Sequence, residues 1–183
     1  MAAATEMVYR QGVAPTTLAH IADAADVPLG NVYYYFKTKE EIVGAVVQAH
    51  VRQLTATLAE VETRHRSPKT RLKALVDVLA GRSGETALYG CPYGTLATEL
   101  AKRADGTDPQ AVELMRIPLE WAEREFRAMG RRDARGLAVE LVAGYQGAAV
   151  LAGTLGQPDL MAGQARRLRR WIDAESVAPG GES

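Results

Sequence analysis

At 183 residues the chain is long enough for one domain, or two small ones, with a real core. Its 22 Lys and Arg balance 22 Asp and Glu, and 24% charged with 47% hydrophobic residues excludes both a polyelectrolyte and a disordered tail protein. The single cysteine, Cys91, excludes an internal disulfide and a Cys-rich zinc site. With no secretory apolar region after Met1, a reducing cytoplasm is the expected compartment.

Apolar residues recur at helical spacing almost throughout, and no run alternates long enough to make a strand, so the expected fold class is all-α with about nine helices. A first helix over residues 2–11 starts abruptly. Two short helices follow, 17–25 and from 29, joined by a tight turn at 26–28. Thr38 and Glu41 then form a capping-box pattern ahead of Ile42, Val46, Val47, Val51, Leu54, Leu58 and Val61. That spacing predicts a helix to about residue 65, roughly 35 to 40 Å long at about 1.5 Å per residue. It is the mechanical candidate for carrying movement along the chain.

The pattern breaks at Arg64, His65 and Arg66, and Ser67 with Pro68 starts a further helix. Asp108 and Asp133 are candidate N-caps, Pro109 a candidate first helical residue, and Gly81, Gly106 and Gly130 candidate stops. Helices are expected from Pro92, over 109–129 with Pro118 as a kink, over 134–155 and over 158–174. The longest uncharged stretch, from Leu141 to Pro158, carries four glycines and reads as a buried or interface helix rather than a membrane span. The expected organisation is an N-terminal domain over 1–46, a larger helical bundle over 47–176 and a flexible Pro/Gly/Ser-rich tail over 177–183.

The run TLAHIADAADVPLGNVYYYF, residues 17–36, has the layout of a helix-turn-helix. Leu18, Ile21, Ala22, Ala25, Val27, Val32 and Phe36 supply the small or branched apolar contacts that two closely crossing helices need. Asp26 falls where the turn wants a left-handed residue, a conformation Asp tolerates. On the second helix Val32, Tyr35 and Phe36 share one side, leaving Leu29, Gly30, Tyr33, Tyr34 and Lys37 outward. An outward face of glycine, aromatic hydroxyls and lysine suits close approach to a duplex. Thr16 and Thr17 offer hydroxyls and helix N–H groups to a phosphate, and Lys39 can bind another.

With the following KTKEEIV, this segment resembles the DNA-binding domain of the tetracycline-repressor (TetR) family of bacterial transcription regulators, over about residues 16–47. The resemblance implies a dimer whose N-terminal three-helix, helix-turn-helix domain reads double-stranded operator DNA and whose C-terminal bundle binds a small-molecule effector, most simply a repressor released by its ligand. It places DNA contacts at Thr16, Thr17, Leu29, Gly30, Asn31, Tyr33, Tyr34 and Lys39. Leu29 departs from the Lys or Arg of many members and offers only apolar contact, as to a thymine methyl. Residues 1–40 carry only Arg10, Lys37 and Lys39 against Glu6, Asp23, Asp26 and Glu40, so a shallow salt dependence is expected. A basic extension usual before the first helix is also missing.

The stretch YGCPYGTLATEL, residues 89–100, resembles a Gly-Cys-Pro segment of one branch of the family. The resemblance makes Cys91, Tyr93 and Leu96 effector-pocket candidates, with Met115, Leu119, Phe126 and Tyr145 behind them; ordinary core packing is the competing account of each. In the family the last two long helices form a four-helix dimer interface. This points to Gly144, Gly147, Ala148, Ala152, Leu168 and Trp171, which a monomer could equally bury internally. Arg166, Arg167, Arg169 and Arg170 read as a solvated face paired with acids.

Neither metal nor cofactor is expected, nor a membrane partner. Catalysis is disfavoured because Cys91, His20, His50 and His65 show no paired spacing and no phosphate-binding glycine loop occurs. An accessible Cys91 thiolate could act as a redox sensor, though free cysteines are more often buried. The other rival is a helical ligand-binding protein with weak or lost DNA binding, favoured by the neutral head and Leu29.

Overall fold

The computed structural model describes residues 1–103 and 109–175. Among them are ten α-helices and no strand: α1 Ala2–Gln11, α2 Leu18–Ala24, α3 Leu29–Tyr35, α4 Lys39–Arg64, α5 Pro68–Ala80, α6 Ser83–Tyr89, α7 Pro92–Arg103, α8 Pro109–Ala128, α9 Ala134–Leu155 and α10 Asp159–Glu175. The helix not anticipated is α6, seven residues long and set off from α5 by Gly81 and Arg82.

The helix starts follow from side chains that satisfy N–H groups left free in a first turn. Thr17 Oγ1 accepts from His20 N at 3.1 Å, Thr38 Oγ1 from Glu41 N at 3.2 Å, and Asp133 Oδ1 from Gly136 N at 3.0 Å. The Glu41 carboxylate reaches back one residue further than a capping box requires, accepting from Lys37 N at 2.6 Å. Ser67 and Thr70 close a full reciprocal box on α5, with Pro68 at its first position. Gly81 and Gly130 lie at helix ends as expected, while Gly106, Asp108 and the 177–183 tail lie outside the described residues.

The chain divides into two compact units, and neither is continuous in sequence. The first holds Met1–Leu54 and Pro92–Met115, so α7 and the start of α8 join the helices ahead of them rather than the later bundle. Ala4, Val8, Val13, Ile21, Val46 and Leu96 are among its buried residues. His50, buried, meets the Tyr93 ring edge-on at 5.5 Å.

The second unit holds Thr55–Cys91 and the described residues from Arg116 on. There α10 packs on α5 and α9, and α6 on α9. Leu72, Trp121, Phe126, Met161 and Ile172 are fully buried, and the Trp171 ring leans on Phe126 at 5.5 Å. Asp173 takes Lys69 and Lys73 at 2.9 and 2.7 Å, holding its carboxyl down to about 2, and Arg169 pairs with Asp77. α9 is long and apolar enough to cross a membrane by length and composition, yet one side of it is buried against α6 and α10.

Candidate nucleic-acid interface

Two seven-residue helices cross through Leu18, Ile21 and Ala22 of α2 and Val32 of α3, all buried. Between them Asp26 adopts φ 52°, and among the described residues it is the non-glycine with positive φ. The turn therefore takes the left-handed conformation expected at that position. Two anticipated packing residues are not inside: Ala25 and Val27 are exposed, because α2 ends at Ala24 and the turn leaves the crossing. Phe36 is half-buried.

The outward side of α3 carries Leu29, Gly30, Asn31, Tyr33 and Tyr34, all exposed, and no atom lies within 4 Å of the position a Gly30 Cβ would take. Tyr35 departs from expectation. Helical spacing puts it inward with Val32, yet it is 73% exposed beside Tyr34 at 74%, the two rings edge-to-face at 5.1 Å. α3 stops at Tyr35 and Phe36 is already extended, so no packing partner reaches the last turn on that side. The signal was present in three consecutive tyrosines: a helix this short buries one position per turn against α2, and Val32 takes it. Lys37 Nζ donates to the Tyr33 carbonyl at 2.6 Å and lies 5.9 Å from the Tyr34 ring centroid, fixing a cation at the end of the face.

The two threonines separate. Thr17 is exposed, and its hydroxyl, which accepts from His20 N, keeps its own proton for a further acceptor. Thr16 is 1% exposed. Its hydroxyl donates to the Gly12 carbonyl at 2.7 Å and accepts from Gln11 Nε2 at 3.2 Å, while its N–H goes to the Val13 carbonyl. The expectation of a phosphate contact at Thr16 is corrected, since both groups are committed inside the loop. Lys39 Nζ donates to the Ala14 carbonyl at 2.7 Å, using one of its three N–H bonds.

The later candidates scatter. Cys91 is buried, its sulfur 3.5 Å from Gln146 Nε2, which is the bland alternative to an accessible thiolate. Tyr93, Leu96 and Met115 belong to the first unit, whereas Cys91, Leu119, Phe126 and Tyr145 belong to the second. A cleft of about 260 Å³ does open in the second unit, between Leu58, Ala59 and Glu62 of α4 and Ile117, Glu120 and Trp121 of α8. None of the seven pocket candidates lines it, because Phe126 is fully enclosed and the others fall elsewhere. Pro118 adjoins Ile117, and the ring cannot donate to the preceding turn. Glu62 accepts from Trp121 Nε1 at 2.7 Å and lies 3.7 Å from Arg124.

Of the six dimer-interface candidates, Ala148, Ala152 and Leu168 are buried within the second unit, Gly144 faces Gln164 and Leu168, and Trp171 covers Phe126. Only Gly147 is open, with nothing within 4 Å of a built Cβ. The exposed apolar residues of α9 are instead Val139, Val150, Leu151 and Leu155, which with Ala143 and Gly147 recur at helical spacing on its outer side.

Comparison with known proteins decides what the α2–α3 arrangement belongs to. Residues 1–46 match the family model of bacterial regulatory proteins, tetR family. An HTH-type transcriptional regulator of the lacX 3′ region in Lactococcus lactis subsp. lactis is 31% identical over 103 residues, 55% of this chain but only 53% of that protein, so the chain spans about half of its length. The HTH-type transcriptional repressor DhaR of Mycobacterium sp. (strain GP1) is 29% identical over 159 residues, 79% of this chain and 75% of that one. Residues 1–46 are thus a tetR-family domain. A crystal structure of a TetR transcriptional regulator from Legionella pneumophila shares the fold at a TM-score of 0.81, with 20% identity over 94% of this chain and 92% of that chain. The matched family is one of bacterial regulatory proteins, and both sequence relatives are named as HTH-type regulators of transcription.

Proposed function

We propose that this TetR-family chain is a dimeric, ligand-responsive repressor, with residues 1–46 as its DNA-binding domain and the helices beyond as effector and dimerisation domain. The observation that carries the reading is the α3 face: Leu29, Gly30, Asn31, Tyr33, Tyr34 and Tyr35 stand exposed on a helix locked to α2 by a buried apolar crossing. Gly30 lets the backbone near base edges, the tyrosine hydroxyls and Lys37 meet phosphates, and Thr17 at the α2 N-terminus meets another.

Two reading heads must enter successive major grooves about 34 to 36 Å apart, so DNA binding requires a second copy. The outer side of α9 supports that copy, since an apolar row of Val139, Val150, Leu151 and Leu155 in water is a partner surface in search of cover. The α4–α8 cleft is the reading's effector site, for a small ligand with an apolar body bound between Leu58, Ile117 and Trp121. A ligand favouring a dimer with the wrong head spacing shifts the population off DNA, and by linkage DNA weakens that ligand equally. The cytoplasm follows as the compartment where the operator is. DhaR, similar over most of this chain, is named a repressor, which favours that sense of regulation.

Fluorescence-anisotropy titration against duplexes from the chain's own promoter, with an unrelated duplex as control, tests the reading. Saturable, promoter-preferring binding by a dimer or a pair of dimers per site is expected. Equal, weak binding to both duplexes at low salt would instead favour the helical ligand-binding protein, the reading that the near-neutral head supports.

A further inference from the structure

The loop between α1 and α2 is pinned from three sides. Glu99 of α7 accepts from Val13 N through Oε2 at 2.9 Å and from Ala14 N through Oε1 at 2.8 Å. Lys39 Nζ holds the Ala14 carbonyl from the start of α4, and Thr16 is turned inward beneath it. All of these residues belong to the first unit. Charge-assisted bonds from two successive backbone N–H groups to one carboxylate are stronger and more directional than neutral ones. The loop is also shaped to receive the carboxylate: Gly12 sits at φ 84°, and a Cβ there would stand 3.0 Å from Glu99 Oε2. A second ion pair on the same helix, Arg103 to Glu40 at 3.3 Å, ties α7 to the first turn of α4.

We infer that Glu99 is a positioning residue for DNA reading: its bidentate grip on Val13 and Ala14 sets the loop that leads into Thr17 and α2, and an α7 shift that breaks the grip loosens the reading head. Glu99 touches no DNA. It acts by holding the two N–H groups at the one point from which α2 departs, four residues before its first buried contact at Leu18. Thr17, the α2 cap, is three residues from Ala14, so moving the loop moves the start of α2. α7 follows directly on Cys91, the residue at which the chain leaves the second unit. The inference rests on the DNA-binding reading above for its consequence, but not for its geometry.

Two variants test it. In Glu99→Ala both acceptors are gone; in Glu99→Gln the shape is kept but one amide oxygen replaces two carboxylate oxygens. Hydrogen exchange of the peptide covering residues 9–18, measured on the full-length protein without DNA, is expected to quicken about tenfold in Glu99→Ala and by less in Glu99→Gln, while α4 keeps its protection. Operator affinity is expected to fall about tenfold in the alanine variant with the glutamine variant between, and thermal unfolding to move by only a few degrees. Unchanged exchange in residues 9–18 overturns the grip, and quickened exchange with affinity within twofold of the unsubstituted protein overturns its role in reading. If the unsubstituted protein itself shows no promoter preference, the functional reading fails and the exchange data alone decide whether Glu99 holds the loop.

Discussion

Thr16 and Thr17 are adjacent, equally polar and opposite in role. Replacing Thr17 by Ala removes the α2 cap, a loss of about 1 kcal/mol, and with it the exposed hydroxyl proposed to meet a phosphate. Replacing Thr16 by Val leaves the Gly12 carbonyl and the Gln11 amide without their hydroxyl partner, a loss of about 1 to 3 kcal/mol in stability. Urea unfolding of both variants alongside operator titration separates them: Thr16→Val should lose the more stability, and Thr17→Ala should lose affinity beyond what its smaller loss of stability explains.

Glu125 is the other residue whose surroundings decide its behaviour. It is 5% exposed, its Oε2 accepts no hydrogen bond among the described residues, and Arg71 is 3.6 Å away. Burial pushes its carboxyl above the ordinary 4.5, with Glu62 adding to the rise and Arg71 and Arg124 opposing it. A carboxyl raised on folding binds its proton more tightly in the folded chain, so its contribution is present below about pH 4.5 and is lost as pH rises through the raised value. Glu125→Gln should therefore flatten the fall in stability as pH rises above about 4.5, measured by urea unfolding at several pH values. A steeper fall in the variant would mean that the Arg71 pair outweighs the burial.

At the scale of single elements, α2 and α3 were legible because their signals are local: a cap at Thr17, a turn residue at Asp26, and an apolar set with one buried face. Asp in the left-handed region stores some strain, and Asp26→Gly should raise stability by up to about 1 kcal/mol, whereas a β-branched residue there should lower it by more. Thermal melts of the two variants check the order. The outward turn of Tyr35 is not legible in helical spacing alone, which assigns a direction around the axis but not whether anything waits there. Tyr34→Ala and Tyr35→Ala should each weaken operator binding by about 1 to 2 kcal/mol without loss of helix, read by anisotropy and circular dichroism. With Lys37 and Lys39 as the cations of each head, a dimer neutralising about four phosphates should give a log–log salt slope of about −3 to −4.

For the whole molecule the outer side of α9 carries the prediction. Val150→Glu with Leu151→Glu adds charge to exposed positions and should leave the fold intact while turning a dimer into monomers by sedimentation, with operator affinity falling by an order of magnitude or more. A dimer that survives the double substitution would place the self-contact elsewhere. A charge placed instead at Ala148 or Ala152, buried on the packed side, should prevent folding, which distinguishes the two sides of α9.

What this chain's sequence determined by itself is what short-range chemistry governs: an all-helical chain, the caps at Thr17, Thr38, Ser67 and Asp133, the left-handed turn at Asp26, and the tetR-family reading head they build. Tertiary structure decided the rest, because it depends on which of several equivalent surfaces meets a neighbour. α9 is apolar on both sides, so periodicity could not tell Ala148 from Leu151, and packing on α6 and α10 chose. Thr16 turned inward and Tyr35 outward for the same reason. Glu99, on the partly polar α7 and 85 residues from the loop it holds, had no local pattern to announce it; only the folded chain brings its carboxylate to two waiting N–H groups.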